Sequence, residues 1–185
     1  GLTLQDARDY NIIGCVEPQK SGKTEGWHDA AFFNMCRPLE LVFSNGMDKG
    51  VRIGPATGNV EDMTTFEQFY DAYKKQMDYA IQLLVNADNA IDMAHAERCP
   101  LPFLSSMVDD CMKVGKTVQE GGAVYNFTGP QGFGVANMAD SLYSVKTLVY
   151  DEKKITMGEL KEALATNYGK GLGAEDVAAM TAKIA

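Results

Sequence analysis

The sequence predicts an α/β chain that is mostly α-helical, and three observations support this. A long run of apolar residues recurs at helical spacing over 64–98. Two threonines are each followed three residues later by a glutamate, which is the spacing of a helix-capping box. Short apolar stretches at 12–13 and 123–127 are typical of single strands.

The first 27 residues predict a short strand that runs into a loop. Ile12 and Ile13 form the apolar stretch, and Gly14, Pro18 and further glycines follow closely. Cys15 is therefore expected at the tip where the strand meets the loop.

The next three segments predict a helix, an irregular excursion and the long helix. Apolar residues recur at helical spacing over about 28–44, with Pro38 as a kink or break. Residues 46–63 are rich in glycine and polar groups, which indicates irregular chain. Thr64 and Glu67 then supply a capping box for the long helix.

Prolines end the long helix, and several shorter elements follow. The predicted elements are, in order, a helix over about 103–112, a strand over 123–127, a glycine-rich loop over 128–134, a helix over about 135–149, a helix capped by Thr156 and Glu159, and an alanine-rich helix over 174–184.

Composition restricts the classes of function. The formal net charge of -8 and the pI near 4.7 argue against binding to nucleic acid, because phosphates would be repelled. No apolar run is long enough to span a membrane, and no signal peptide is evident, so we expect a soluble cytoplasmic protein. Gly1 stands where a natural start would have Met, so we expect a piece of a longer protein.

The four cysteines predict reduced thiols and no bound metal. They are Cys15, Cys36, Cys99 and Cys111, without tight CxxC spacing. His95 and Cys99 are four residues apart on the long helix, but two ligands without a second pair make a poor zinc site.

Cys15 and Glu17 are candidate catalytic residues. Residues two apart in an extended chain point to the same side, so a thiol and a carboxylate would face one substrate. On spacing alone, a buried cysteine and a solvated loop glutamate are the more ordinary interpretation. A Walker A interpretation of Ser21-Gly-Lys-Thr24 is disfavoured, because its first glycine would fall at Glu17.

A resemblance over a longer stretch of the sequence favours a catalytic role for Cys15 and Glu17. Gly14-Cys-Val-Glu-Pro18 resembles the cysteine loop of the glycyl radical enzymes, the pyruvate formate-lyase-like family. The residues 22–34, Ala94-His-Ala-Glu-Arg98, 100–109 and Gly129-Pro-Gln-Gly132 are similar to the B12-independent glycerol and propanediol dehydratases of that family. The similarity extends from about 9 to 164.

The resemblance implies a radical mechanism and roles for three residues. A backbone glycyl radical elsewhere in the protein would take hydrogen from Cys15, and the thiyl radical would then take hydrogen from a substrate carbon. Glu17 would accept the proton of the hydroxyl on that carbon, and Asp29 would hydrogen-bond the substrate hydroxyls. Without the resemblance, Asp29 would be interpreted as the N-cap of the helix predicted to begin there.

The resemblance also implies a fold and partners. The chain 1–185 would be part of a ten-stranded α/β barrel, with the cysteine loop at 9–27 and mostly helices after it. The C-terminal domain with the radical glycine is absent, so we expect the chain alone to be inactive. An S-adenosylmethionine and iron–sulfur activating enzyme would install the radical, and no B12 or bound metal is expected.

The implied whole enzyme is a homodimer that acts on a small diol, without nucleic acid or membrane. It would work either free in the cytoplasm or inside a bacterial microcompartment. Two alternatives stay open: another eliminating member, of the isethionate sulfite-lyase or choline lyase type, or a non-catalytic gene fragment. His28-Asp29 disfavours the choline type, which has small hydroxyl residues there, and Cys36 and Pro38 are candidates for altered specificity.

Overall fold

A computed structural model describes residues 1–168 of the chain. Its α-helices are α1 (Leu4–Arg8), α2 (Arg37–Phe43), α3 (Phe66–Arg98), α4 (Pro102–Ser105), α5 (Cys111–Val114), α6 (Val135–Val145) and α7 (Met157–Ala165). Its strands are β1 (Asn11–Ile13), β2 (Glu17–Gln19), β3 (Thr24–Asn34), β4 (Met47–Asp48), β5 (Val51–Arg52) and β6 (Tyr125–Phe133). The helix predicted over 174–184 lies outside the described residues.

The strands of the described region form three two-stranded sheets. Two are antiparallel hairpins, β1 with β2 and β4 with β5. The third pairs β3 with β6. The Tyr125 amide donates to the carbonyl of Lys23, and the Met35 amide donates to that of Phe133. Because these contacts lie at opposite ends of the pair, β3 and β6 run in the same direction.

The chain divides into two compact units. The first unit consists of Gly1–Phe33 and Gln82–Gly132, and the second contains Asn34–Ile81 and the chain from Phe133 onwards. The first unit holds β1, β2 and most of the β3 and β6 pair, and it has a small buried cluster of Cys111, Val118 and Ala123. No helix within residues 1–168 combines the length and apolar character needed to cross a bilayer.

The second unit has the larger set of buried apolar side chains. Its α3 residues Phe69, Ala72, Tyr73 and Met77 are buried, at positions that recur along one face of the helix. The Phe69 ring is fully buried, 5.5 Å from the ring of Phe43. Helices α2 and α7 contribute further buried side chains: Leu39, Leu41, Val42, Met157, Leu160 and Ala163.

The long helix confirms the sequence prediction, but its cap lies one residue later. Thr65 Oγ1 accepts from the amide of Gln68, and Gln68 Oε1 accepts from the amide of Thr65, both at 3.3 Å. The predicted box of Thr64 with Glu67 is therefore wrong in register, because glutamine serves as well as glutamate at the third position.

The predicted helix over 28–44 is wrong in its first half. Residues up to Asn34 belong to strand β3, and only Arg37–Phe43 is helical. Alanine and phenylalanine fit either period, and β6 supplies the strand partner that local sequence cannot reveal. Pro38 does not kink the helix. It lies in the first turn of α2, where its missing N–H costs nothing.

The predicted glycine-rich loop over 128–134 is also wrong, because residues up to Phe133 belong to strand β6. Pro130 has no N–H to donate, and a strand with one unpaired edge tolerates this. A Cβ at Gly129 would lie 3.3 Å from the Trp27 carbonyl oxygen, so the glycine permits close approach of β3. The predicted helix over 103–112 is divided into α4 and α5.

Residues 46–63 are less irregular than predicted, because they contain the hairpin of β4 and β5, whereas the helices predicted over about 135–149 and after Thr156 are confirmed. Helix α6 begins at Val135 and continues into a π-helical turn over Lys146–Asp151. Helix α7 begins with the predicted box, in which Thr156 and Glu159 cap each other. Helices hold more of the described residues than strands do, as predicted.

We expect Phe69→Ala to destabilise this chain by about 3–5 kcal/mol, because it removes a fully buried ring and leaves a cavity. Urea unfolding of the chain measures this loss. Phe103→Ala is the matched control, since its side chain is 79% exposed. Equal losses for the two variants would contradict the assignment of Phe69 to the core.

Candidate active site

A tight hairpin presents Cys15. Strands β1 and β2 pair with Ile13 opposite Glu17, so a loop of Gly14, Cys15 and Val16 joins them. Gly14 has a φ of +60°, which favours glycine. Cys15 is exposed and forms no disulfide. The structure thus confirms the predicted position of Cys15 at the tip, in a hairpin rather than after a lone strand.

Glu17 folds back under this loop. Its Oε2 accepts from the backbone amide of Cys15 at 2.9 Å and from that of Val16 at 3.0 Å. Only 7% of the residue is exposed. A Cβ at Gly14 would lie 2.6 Å from Oε2, so a glycine there leaves room for the carboxylate.

A third donor comes from a distant strand. The Gln131 side-chain amide on β6 donates to Glu17 Oε1 at 3.0 Å. The Val16 amide and the Gln131 amide are the main causes that lower the pKa of Glu17 to about 2, although partial burial acts against them. Glu17 is therefore a carboxylate at neutral pH.

The prediction that the side chains of Cys15 and Glu17 point to the same side of an extended chain is wrong. The chain between them turns instead of extending, so the two side chains are not neighbours on one face of a strand. What joins them is the hydrogen bond from the Cys15 amide to the Glu17 carboxylate. The structure brings the two residues together by this different route.

A second buried carboxylate, Asp6 on α1, precedes the hairpin in the chain. Asp6 accepts from the Tyr125 hydroxyl at 2.6 Å and pairs with Lys23 Nζ at 2.9 Å. These contacts, Tyr125 first, lower the pKa of Asp6 to about 2. Because Lys23 already has a carboxylate partner, the geometry also disfavours the Walker A interpretation of Ser21-Gly-Lys-Thr24.

Asp29 lies within strand β3 and is exposed. Its φ of +59° is in the left-handed region, which is rare for a residue other than glycine, asparagine or aspartate. The interpretation of Asp29 as a helix N-cap is wrong, because no helix begins there. No hydrogen bond or ion pair within residues 1–168 links Asp29 to Cys15 or Glu17.

Three further residues of the sequence analysis have ordinary contacts. The Cys36 thiol lies 3.5 Å from the carbonyl oxygen of Gly134, and Pro38 is buried in the first turn of α2. The His95 ring is 4.3 Å from that of Trp27.

The sequence analysis missed Gln131. The string Gly129-Pro-Gln-Gly132 was recognised only as part of a resemblance and as a loop. The available signal was a polar residue between proline and glycine, in a segment that begins with aromatic residues. That its side chain reaches the hairpin is shown only by the tertiary structure, in which β6 pairs with β3 and Gln131 binds Glu17.

The chain belongs to the pyruvate formate lyase-like family, whose model matches residues 1–182. Its homologues and structural neighbours are glycyl radical enzymes, which use a protein-based radical. This agrees with the resemblance of the cysteine loop.

Particular relatives are dehydratases. A structure from work on 1,2-propanediol dehydration in Roseburia inulinivorans is 65% identical, with a TM-score of 0.95 over 98% of this chain. The glycerol-bound B12-independent glycerol dehydratase of Clostridium butyricum is 59% identical, with a TM-score of 0.91 over 97% of this chain. The (2S)-3-sulfopropanediol dehydratase of Klebsiella oxytoca is 40% identical over 170 residues, which is 91% of this chain.

The chain spans only part of these proteins. It covers 23% of the Roseburia protein, 22% of the Clostridium protein and 21% of the Klebsiella protein. Other glycyl radical lyases, isethionate sulfite-lyase among them, are also related.

We expect Glu17→Gln to destabilise the chain in a pH-dependent manner. The pKa of Glu17 is lowered from 4.5 to about 2, so its contribution to the free energy of unfolding is complete above about pH 4.5. That contribution is lost as the pH falls through the folded-state pKa of about 2. The difference in urea midpoint between wild type and Glu17→Gln should therefore shrink on acidification.

Urea midpoints over a pH series measure this difference, with Glu97→Gln on the exposed surface of α3 as the control. Because Asp6 also has a lowered pKa, both proteins lose its contribution in acid and the difference isolates Glu17. A difference that does not change with pH would contradict the hydrogen-bonded carboxylate.

Proposed function

We propose that the full-length protein is a glycyl radical diol dehydratase that converts propane-1,2-diol or glycerol to an aldehyde and water. The observation that carries the proposal is the Cys15 and Glu17 hairpin: an exposed thiol at the tip and an ionised carboxylate bound to its backbone amide. The 65% and 59% identities to proteins of propanediol and glycerol dehydration support the choice of substrate.

In this proposal Cys15 exchanges hydrogen atoms. It gives its thiol hydrogen to a backbone glycyl radical outside this chain, and the resulting thiyl radical takes hydrogen from the substrate carbon that carries the terminal hydroxyl. The exposed position of Cys15 and its lack of a disulfide fit this role.

Glu17 supplies the base in the same step. It accepts the proton of the hydroxyl on the radical carbon, while the neighbouring hydroxyl takes up one proton and leaves as water, so that no net proton is gained or lost once Glu17 has given its proton up again. The product radical then regains hydrogen from Cys15, which restores the thiyl radical and yields the aldehyde. Glu17 is unprotonated at neutral pH and can therefore accept a proton, and the hydrogen bonds that lower its pKa also make it a weaker base.

Asp29 is proposed to hydrogen-bond the substrate hydroxyls. Its left-handed conformation interrupts the regular extended backbone of β3 at this position, and aspartate is one of the few residues other than glycine that adopt it readily. An exposed carboxylate on β3 also has acceptor oxygens available for a polyol.

The proposal includes the partners of the whole enzyme. A separate activating enzyme that uses S-adenosylmethionine and an iron–sulfur cluster installs the radical, and neither B12 nor a bound metal takes part. The 1–185 chain forms part of a ten-stranded barrel in a homodimer, located in the cytoplasm or in a microcompartment. The alternative is another eliminating lyase of the family, which the relationship to isethionate sulfite-lyase favours.

We expect the full-length, radical-bearing enzyme to release an aldehyde from propane-1,2-diol or glycerol. Cys15→Ala should abolish turnover but leave the glycyl radical signal intact, because the thiol acts after the radical is installed. An aldehyde assay and electron paramagnetic resonance measure the two quantities.

Cys99→Ser is the matched control, since Cys99 is an exposed thiol beyond the end of α3. No aldehyde from either diol, with the radical present, would contradict the dehydratase proposal. Turnover by Cys15→Ala would contradict the role of Cys15 and favour a non-catalytic reading of this hairpin.

We expect Asp29→Gly to raise the KM for the diol by about tenfold or more, because a hydrogen bond to a charged group contributes about 1.5–3 kcal/mol. Glycine accepts the left-handed conformation without strain, so the thermal stability of the enzyme should not fall. Steady-state kinetics and thermal unfolding measure the two effects.

Lys49→Gly is the matched control for backbone relaxation, because Lys49 also has a positive φ, +46°. An unchanged KM in Asp29→Gly would remove Asp29 from the substrate site. A fall in stability without a change in KM would assign it a purely structural role.

A further inference from the structure

The two oxygens of the Glu17 carboxylate accept hydrogen bonds from different parts of the chain. Its Oε2 is bound by the amides of Cys15 and Val16, which belong to the same hairpin loop. Its Oε1 is bound by Gln131, which lies 114 residues further along the chain. The first contact is local, whereas the second depends on strand β6 reaching the hairpin.

With the two local donors alone, one motion of the Glu17 carboxylate would still be possible. Because both amides bind the same oxygen, the carboxylate can still pivot about Oε2 through combined changes of the side-chain torsions and carry Oε1 with it. The contact to Gln131 fixes Oε1, and therefore the plane of the carboxylate. The directions of its remaining lone pairs, which must accept a proton, are fixed at the same time.

The chemistry of the Gln131 side chain suits this task. Its amide is a neutral donor, so it holds the carboxylate by a hydrogen bond without placing a net positive charge beside it. The hairpin strands β1 and β2 and strand β6 carry no other charged side chain, whereas β3, which pairs with β6, carries the titratable side chains of Glu25, His28 and Asp29. Cys15 in the loop and Tyr125 on β6 are the other titratable groups, and the Tyr125 hydroxyl is bound to Asp6.

The close approach of β6 also depends on residues beside Gln131. Gly129 lies two residues before it, where a Cβ would come within 3.3 Å of the Trp27 carbonyl oxygen and 3.4 Å of the His28 Cα. The pairing with β3 holds β6 on one side, and the hydrogen bond from Gln131 to Glu17 links β6 to the hairpin.

We propose that Gln131 is a positioning residue that orients the Glu17 carboxylate for proton transfer from the substrate hydroxyl. This inference rests on the proposed function of Glu17. In this role Gln131 acts on the reaction only through its hydrogen bond to Glu17 Oε1.

The test uses two variants of the full-length, radical-bearing enzyme. Gln131→Met keeps the length of the side chain but removes the donor, and we expect kcat to fall on the order of 100-fold, with a smaller change in KM. The loss should be similar at each pH within the working range, because methionine does not titrate.

Gln131→Glu should give a pH dependence opposite to that expected from ionisation of Glu17. At about pH 8 both carboxyls are ionised and repel, so Glu17 is displaced and kcat is low. Close carboxyls raise the apparent pKa of the pair, so a proton shared near pH 5.5 restores a donor to Glu17. We expect kcat to rise about tenfold or more from pH 8 to 5.5.

Gln68→Glu is the matched control. It makes the same chemical change in the capping box of α3, where a glutamate is equally suitable, and it should follow the wild-type pH profile. A Gln131→Glu profile with the same shape as the control would overturn the inference, as would a Gln131→Met variant with wild-type kcat.

Crystal structures of the full-length variants provide a readout that does not depend on the substrate. In Gln131→Met, and in Gln131→Glu at about pH 8, Glu17 should move away from the amides of Cys15 and Val16 or rotate about them. An unmoved carboxylate would overturn the inference whatever the enzyme acts on. If the carboxylate moves but the wild-type enzyme releases no aldehyde from a diol, the positioning role stands and the proposed function fails.

Discussion

The buried carboxylate of Glu17 is the constraint on which the arrangement of the site depends. A charge taken from water must find hydrogen-bond donors, and an uncompensated one would cost several kcal/mol. The loop amides of Cys15 and Val16 supply two donors, and Gln131 supplies the third. The same contacts that satisfy Glu17 also link the residues of the cysteine loop, so stability and the proposed chemistry depend on one group.

Two glycines make this arrangement sterically possible. Gly14 accepts the left-handed turn of the loop and leaves room for Glu17. Gly129 allows β6 to approach β3 closely enough to bring Gln131 to the hairpin. Side chains at these positions would meet a carboxylate and a strand backbone respectively. The site is therefore built from close backbone approach as much as from functional side chains.

The sequence predicts those elements that local physical chemistry determines. The helix α3 follows from a long apolar period and the chain-breaking prolines after it, and α7 follows from its capping box. The position of Cys15 at a tip follows from the glycine and proline around it. Strand β3 and the 128–133 part of β6 were not predicted, because their pairing joins segments about a hundred residues apart and overrides the local signals.

The candidate site was predicted unevenly for the same reason. Cys15 and Glu17 lie in one short motif that resembles a known family, so the sequence brings them together. Their actual contact, through a backbone amide, depends on a turn that an extended-chain argument does not contain. Gln131 was missed because its importance comes from a tertiary contact.

The separation between Glu17 and Gln131 has a consequence for the order of folding. A hairpin such as β1 and β2 closes within about 1–10 μs, because its ends are neighbours in sequence. The contact from Gln131 requires the closure of a loop of 114 residues and the pairing of parallel strands, which are slow steps. During synthesis, too, β6 leaves the ribosome long after the hairpin. The carboxylate is thus held by its two local donors first, and the site matures only when the last partner arrives.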